Sequence, residues 1–287
     1  MYDVIIIGGG PAGVSASLYT KRANRKTLII YHNESNLEYA KKIENYYGFE
    51  NGISGKELYE TGLKQAINLG VEVKKDELLK IEPSENNTFK VITTQNEYIS
   101  KTVIIAIGIK KAKAKIKGIK ELEGRGISYC AICDGFFYRN KNVSVLGSGS
   151  YALSETNDLI NIAKHITILT NGEKPPEFRA ENVDIVTKPI EEIKGENKLE
   201  EIIFKDNTKI KTDGLFIAQG TLGSTEIAKK LGLFLNGDKI VVDEKMQTNI
   251  KGIYACGDCT GGLLQVSKAV YEGAIAGLQV INFLRSE

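Results

Sequence analysis

The sharpest chemical signal in the sequence is the run Cys130-Ala131-Ile132-Cys133-Asp134. Two cysteines at this spacing close a small disulfide ring, and a helix N-terminus or nearby cation would depress a thiol pKa. The thiolate is the attacking form in thiol–disulfide exchange, so such a pair can turn over rapidly. Asp134 stands beside it, where a carboxylate could deliver or remove the proton that exchange requires. A second Cys-x-x-Cys, Cys256 and Cys259, raises the alternative of a four-cysteine zinc site. That site would bridge the whole interval from Cys133 to Cys256, whereas structural zinc motifs are more local. Redox pair, metal site and inert thiols are the three readings the cysteines allow by themselves.

A second constellation is Gly8-x-Gly10-x-x-Gly13. Gly8 permits a tight turn, Gly10 lets the backbone approach a pyrophosphate, and Gly13 lets helix and strand pack closely. Pro11 and Ala12 complete the turn, which follows the apolar run Asp3-Ile7 and opens a helix over Val14-Arg22, so the helix N-terminus faces the anion. Thr27-Tyr31 is the next strand. The acidic residue that holds a ribose should fall near Tyr31; the nearest candidate is Glu34. The plan recurs as strand Val143-Leu146, turn Gly147-Ser148-Gly149-Ser150-Tyr151-Ala152, helix to about Ala163 and strand Ile166-Leu169. Two copies of one unit predict two nucleotide-binding-type domains.

The elements around these motifs set the order of the domains. A helix near Gly55-Leu69 precedes strand-like pieces at Val71-Val73, Leu78-Ile81, Thr88-Thr94 and Tyr98-Ile107, and the lysine-rich Lys110-Lys120 reads as a linker. Far downstream, strand Ile253-Cys256 runs into Gly257-Asp258 and then a helix from about Gln265 to Leu284. The N- and C-terminal parts are therefore expected to build one domain, residues 1–109 with 244–287. The second domain, residues 112–241, is inserted between them. The fold class is α/β, with two Rossmann-like, three-layer ββα dinucleotide-binding domains. The length of 287 residues, 42% hydrophobic content and 29 glycines suit such a pair. A net charge of +2 gives no field that would argue for nucleic acid or an anionic membrane. No signal-peptide pattern is present, and the longest apolar run, Val103-Ile109, is too short to span a bilayer, so the expected location is the cytoplasm.

On these landmarks, together with Glu44-Asn45-Tyr46-Tyr47-Gly48, Gly135-Phe136-Phe137 and Gly252-Ile253-Tyr254-Ala255-Cys256-Gly257-Asp258, the chain resembles the low-molecular-weight thioredoxin reductases over essentially its whole length. The resemblance implies FAD on the composite domain, with Gly8, Gly10, Pro11, Ala12 and Gly13 around its pyrophosphate and Glu34 as the ribose candidate. Asn45 and Gly108 would lie toward the flavin, Gly257 and Asp258 at the ribityl chain, and Gln265 and Val266 against the isoalloxazine. It further implies Cys133 as the flavin-proximal thiol, Cys130 as the thiol that attacks the substrate, and Asp134 as acid–base partner. Thioredoxin would be the substrate, a homodimer the assembly, and two alternating domain orientations the working cycle, hinged near Ile109 and Asp243. Cys256 and Cys259 flank the flavin-contacting element and read as an inert pair.

Several positions depart from the family. The second turn would ordinarily imply NADPH, but a His-Arg-Arg type cluster normally follows the next strand to neutralise the 2′-phosphate. Here Leu169-Thr170-Asn171-Gly172-Glu173 carries no cation, and Leu264 replaces the arginine of an Arg-Gln pair. The second domain also looks trimmed after Arg179. A subgroup that takes electrons from ferredoxin shares a reduced second domain and a Gly-Asp-Cys-Thr-Gly run. Ferredoxin is therefore the expected donor, with NADPH or NADH the alternative; a non-catalytic flavin redox sensor is the reading from another class.

Overall fold

The computed structural model of the chain describes residues 1–32, 35–109 and 116–286, without the side chains of 36 and 39. Glu34 and most of the lysine-rich linker lie outside the described residues. Two compact units emerge, Met1–Lys110 with Gly223–Glu287, and Lys111–Leu222.

The first unit opens with β1 (Tyr2–Ile7), α1 (Pro11–Arg22) and β2 (Thr27–Tyr31). The aliphatic runs Ile5-Ile6-Ile7 and Leu28-Ile29-Ile30 are almost wholly buried, as strands of a parallel sheet covered on both faces must be. Pro11 at the first helical position starts α1 with a preset φ. Next come α2 (Gly55–Asn68), β3 (Glu72–Lys75), β4 (Leu78–Ser84), β5 (Thr88–Thr93) and β6 (Glu97–Ile105). The chain then enters the second unit, with β7 (Ile127–Ser128), α3 (Ala131–Asp134), β8 (Asn142–Leu146), α4 (Ser150–Leu159), β9 (His165–Leu169) and β10 (Val183–Val186). It continues through β11 (Ile190–Lys194), β12 (Glu201–Phe204), β13 (Lys209–Lys211) and β14 (Gly214–Ile217). The return to the first unit comprises α5 (Ser224–Leu231), β15 (Leu235–Asn236), β16 (Lys239–Ile240), β17 (Ile253–Ala255) and α6 (Val266–Ser286).

In the first unit β3-β2-β1-β6 is a parallel array, continued by antiparallel β5 and β4. Strand β6 has two kinds of neighbour on one side: its first half pairs with β5, its last three residues with β17. That split is how the C-terminal segment completes the N-terminal sheet. Helices α1 and α6 pack along each other, with Ala12, Ala16, Ala276 and Val280 in the core between them.

The second unit carries a parallel sheet in the order β10-β9-β8-β14-β7 and a separate antiparallel β11-β12-β13. No helix lies between β9 and β10.

The boundaries differ from the expectation at two places. The expected return at 244 comes earlier, at Gly223, because α5 buries Ile227 and Ala228 and packs against β4. The end of the supposed linker also belongs to the second unit: Lys117 pairs with Glu192 at 2.6 Å and its carbonyl accepts the Ile193 amide at 2.9 Å.

Candidate functional site

Three strand ends meet at one edge of the first sheet. Gly8 N–H donates to the Ile30 carbonyl (2.8 Å), Ala106 N–H to Ile7 (2.7 Å), and Cys256 N–H to Ile105 (3.0 Å). The β1–α1 turn, the segment leading to Gly108 and the Gly257-Asp258 turn therefore lie side by side beyond the C-terminal strand ends, where open α/β sheets bind ligands. A Cβ on Gly8 would stand 2.3 Å from the Ala106 carbonyl oxygen, so the turn can close only on glycine. Gly10 is different: a Cβ there would meet only Ser35 Oγ, at 3.7 Å. Its missing side chain leaves free room above the helix start. Gly10 caps α1 with no side-chain hydrogen bond, so the helix-start amides of Ala12 and Gly13 are open to an anion.

Asn45 and Gln265, 220 residues apart, are joined by a 2.9 Å bond from Asn45 Nδ2 to Gln265 Oε1. Val266 begins α6. Asp258 is partly buried, and burial raises its carboxyl pKa while Lys268 and Lys239 pull it down. That carboxylate has no hydrogen-bond partner among the described residues. The turn carrying it is pinned from α6. Lys268 Nζ donates to Gly257 O (2.8 Å), Thr260 Oγ1 (2.9 Å) and Gly261 O (2.6 Å), and pairs with Glu272 at 2.9 Å. Glu272 in turn accepts Gly257 N–H at 2.8 Å. These features fit FAD on chemical grounds: an open amide cradle for pyrophosphate and an unpartnered carboxylate for a ribityl hydroxyl.

Cys256 and Cys259 are fully buried free thiols; Cys259 Sγ donates to the Cys256 carbonyl at 3.2 Å. Burial pushes the Cys259 thiol up to about 12 and raises Cys256 well above the usual thiol range.

In the second unit Cys130 and Cys133 are joined in a disulfide. Cys130 caps the short helix α3, and its Sγ accepts the Cys133 amide at 3.1 Å. Ser128, at the end of β7, accepts the Cys130 amide (3.1 Å) and donates to Asp134 Oδ2 (2.7 Å). Cys130 is buried and Cys133 exposed. Beside the pair, Phe136 and Phe137 are each 69% exposed and Ile132 is also exposed, a protruding apolar rim of the kind that contacts another protein.

The second glycine turn precedes α4. A Cβ on Gly147 would lie 2.1 Å from the Ala218 carbonyl, so strand and helix packing alone require that glycine. At the end of β9, where a 2′-phosphate would need cations, Glu173 accepts a hydrogen bond from Ser148 of the turn. The position fits NADPH poorly.

Sequence reasoning missed Ser128, Lys268, Glu272 and Glu155. Ser128 carries no signal. Glu155, which accepts the Ala131 amide at 2.6 Å, carries one: it interrupts the buried stripe Tyr151, Ala152, Thr156 and Leu159 of α4.

A family model of pyridine nucleotide-disulphide oxidoreductases matches residues 2–273. The chain belongs to that family. The thioredoxin reductase of Aquifex aeolicus (strain VF5) is 34% identical over 303 residues, 99% of this chain and 94% of that protein. The atypical thioredoxin reductase TRi from Desulfovibrio vulgaris Hildenborough superposes with a TM-score of 0.93 at 35% identity, covering 100% of this chain and 99% of the other. A ferredoxin-flavin thioredoxin reductase from Clostridium acetobutylicum gives 0.74 at 32%, covering 100% and 99%. Within the family the chain is an oxidoreductase of the low-molecular-weight thioredoxin reductase kind. Among the described residues no helix is long and apolar enough to cross a membrane.

Proposed function

We propose that the chain reduces the disulfide of a thioredoxin through Cys130 and Cys133, drawing electrons from a bound FAD that reduced ferredoxin recharges. The observation that carries this reading is the disulfide at the start of α3, with Asp134 held next to it by Ser128. FAD, bound at the Gly8–Gly13 turn with Asn45, Gly108, Asp258, Gln265 and Val266 around it, supplies the reducing electron pair. Cys130 is the sulfur that receives an amide hydrogen bond, and that favours its thiolate, the attacking form. Asp134 exchanges protons with the pair, and the Phe136-Phe137 rim supports a protein substrate over a small disulfide.

The donor assignment is supported by Glu173 at the second turn, which opposes a 2′-phosphate, and by similarity to a ferredoxin-flavin enzyme. A homodimer belongs to the same reading; Tyr271 and Leu278, exposed one heptad apart on α6, offer an apolar contact. Free buried thiols at Cys256 and Cys259 suit a reducing cytoplasm. The test is anaerobic mixing of the yellow protein with reduced ferredoxin, NADPH or NADH while flavin absorbance is followed. Bleaching by ferredoxin alone supports the reading; rapid bleaching by micromolar NADPH overturns the donor.

A further inference from the structure

The room that Gly10 leaves above the start of α1 is faced by the hydroxyl of Ser35, whose Oγ stands 3.7 Å from where a Cβ on Gly10 would lie. Ser35 is half-buried in the segment after β2, and its position is fixed twice. Its Oγ accepts the Leu37 amide at 3.2 Å and Glu38 Oε1 accepts the Ser35 amide at 3.0 Å, a capping box that starts the short helical turn Asn36–Tyr39. That turn rests on the start of α2: Gly55 N–H donates to the Ala40 carbonyl at 2.8 Å, and a Cβ on Gly55 would collide with the Leu37 carbonyl. In the capping box the hydroxyl oxygen is an acceptor, so its own hydrogen is left to donate. Among the described residues nothing takes it. Capping alone does not select serine, because aspartate caps a helix start equally well. Aspartate would set a negative charge over the anion cradle, whereas serine brings a donor and no charge.

We propose that Ser35 is a cofactor-binding residue that donates its hydroxyl hydrogen to a pyrophosphate oxygen of FAD, an inference that rests on FAD being the group held at the Gly8–Gly13 turn. A pyrophosphate oxygen accepts hydrogen bonds and offers none, so it calls for donors on every side. The open amides at the start of α1 supply some of them. Ser35 adds a side-chain donor from a different element, and a hydrogen bond to a charged oxygen is stronger than one between neutral groups. The capping box and the contact with Gly55 hold that donor in place before the cofactor binds, so little side-chain freedom is lost on binding.

The full-length wild type, S35A and S35D are each stripped of flavin and titrated with FAD, the free FAD being measured after ultrafiltration. Urea unfolding of the same apoproteins reads the cap separately from the cofactor. S35A loses donor and cap together, and its FAD dissociation constant is expected to rise about tenfold or more. S35D keeps the cap, so its apoprotein should unfold at the wild-type urea midpoint. Its charge opposes the pyrophosphate, and its FAD affinity should fall further than that of S35A, by on the order of a hundredfold. A merely structural Ser35 gives the opposite order, with S35D binding FAD as tightly as wild type and S35A more weakly. That order, or an S35A that loses no affinity, would overturn the role of Ser35 and leave the FAD site standing. A wild-type apoprotein that takes up no FAD would overturn both.

Discussion

Ser128 Oγ donates to Asp134 Oδ2 at 2.7 Å while accepting the Cys130 amide. One hydroxyl thus ties the acid to the first cysteine, so the spacing between carboxylate and disulfide is set by the end of β7 and does not depend on α3 alone. Removing the carboxylate's charge in D134N should slow thioredoxin reduction by on the order of a hundredfold. S128A keeps the acid but frees it to rotate, so a smaller loss is expected. Steady-state turnover of both variants with the disulfide still formed checks the order.

The two sulfurs are not equivalent. Cys130 receives the amide hydrogen bond, whereas Cys133 is the exposed member. If Cys130 is the attacking thiol, C133S should trap thioredoxin as a stable mixed disulfide and C130S should not. Non-reducing electrophoresis after mixing with oxidised thioredoxin reads this directly; trapping by C130S alone would exchange the roles.

Cys256 and Cys259 should stay silent. Native, reduced protein treated with iodoacetamide at pH 8 should label the exposed Cys133 and spare Cys256 and Cys259, which react only after unfolding. The linkage has a definite sign. Burial raises the folded Cys259 thiol to about 12, above the ordinary value of about 8.5 expected of the unfolded chain. Its contribution to stability is complete below that value and is lost as pH rises toward 12. Urea midpoints should therefore fall in alkaline solution, and fall less for C259A.

The turn that carries Asp258 depends on the Lys268–Glu272 pair, both largely shielded from solvent. K268M leaves Glu272 without its cation and should cost about 3 kcal/mol, seen as a lower urea midpoint and weaker flavin retention. G273A tests a different contact. A Cβ there would stand 2.1 Å from the Ala12 carbonyl, so α6 must move off α1, at a cost of about 1–3 kcal/mol.

Much of this was legible in the residues because its causes are local. Apolar β-branched runs followed by Gly8-x-Gly10-x-x-Gly13 or Gly147-x-Gly149 specify strand, turn and helix within about thirty positions. The Cys-x-x-Cys spacing likewise announces the disulfide that joins Cys130 and Cys133. What stayed hidden was set by distant packing. The boundary at Gly223 follows from α5 finding β4 across more than a hundred residues. Ser128 and Lys268 are ordinary polar residues until the fold brings them to Asp134 and Gly257. Glu155 left a trace as a charge in an apolar stripe, and a period-sensitive reading of α4 could have found it.

The central claim is that electrons reach thioredoxin only through Cys130 and Cys133. The most direct test is the rate at which flavin-loaded C130S, reduced beforehand at its flavin, reduces thioredoxin. A loss on the order of a thousandfold or more, with the flavin still bound and reducible, is the predicted result. Thioredoxin reduction at the wild-type rate would contradict it.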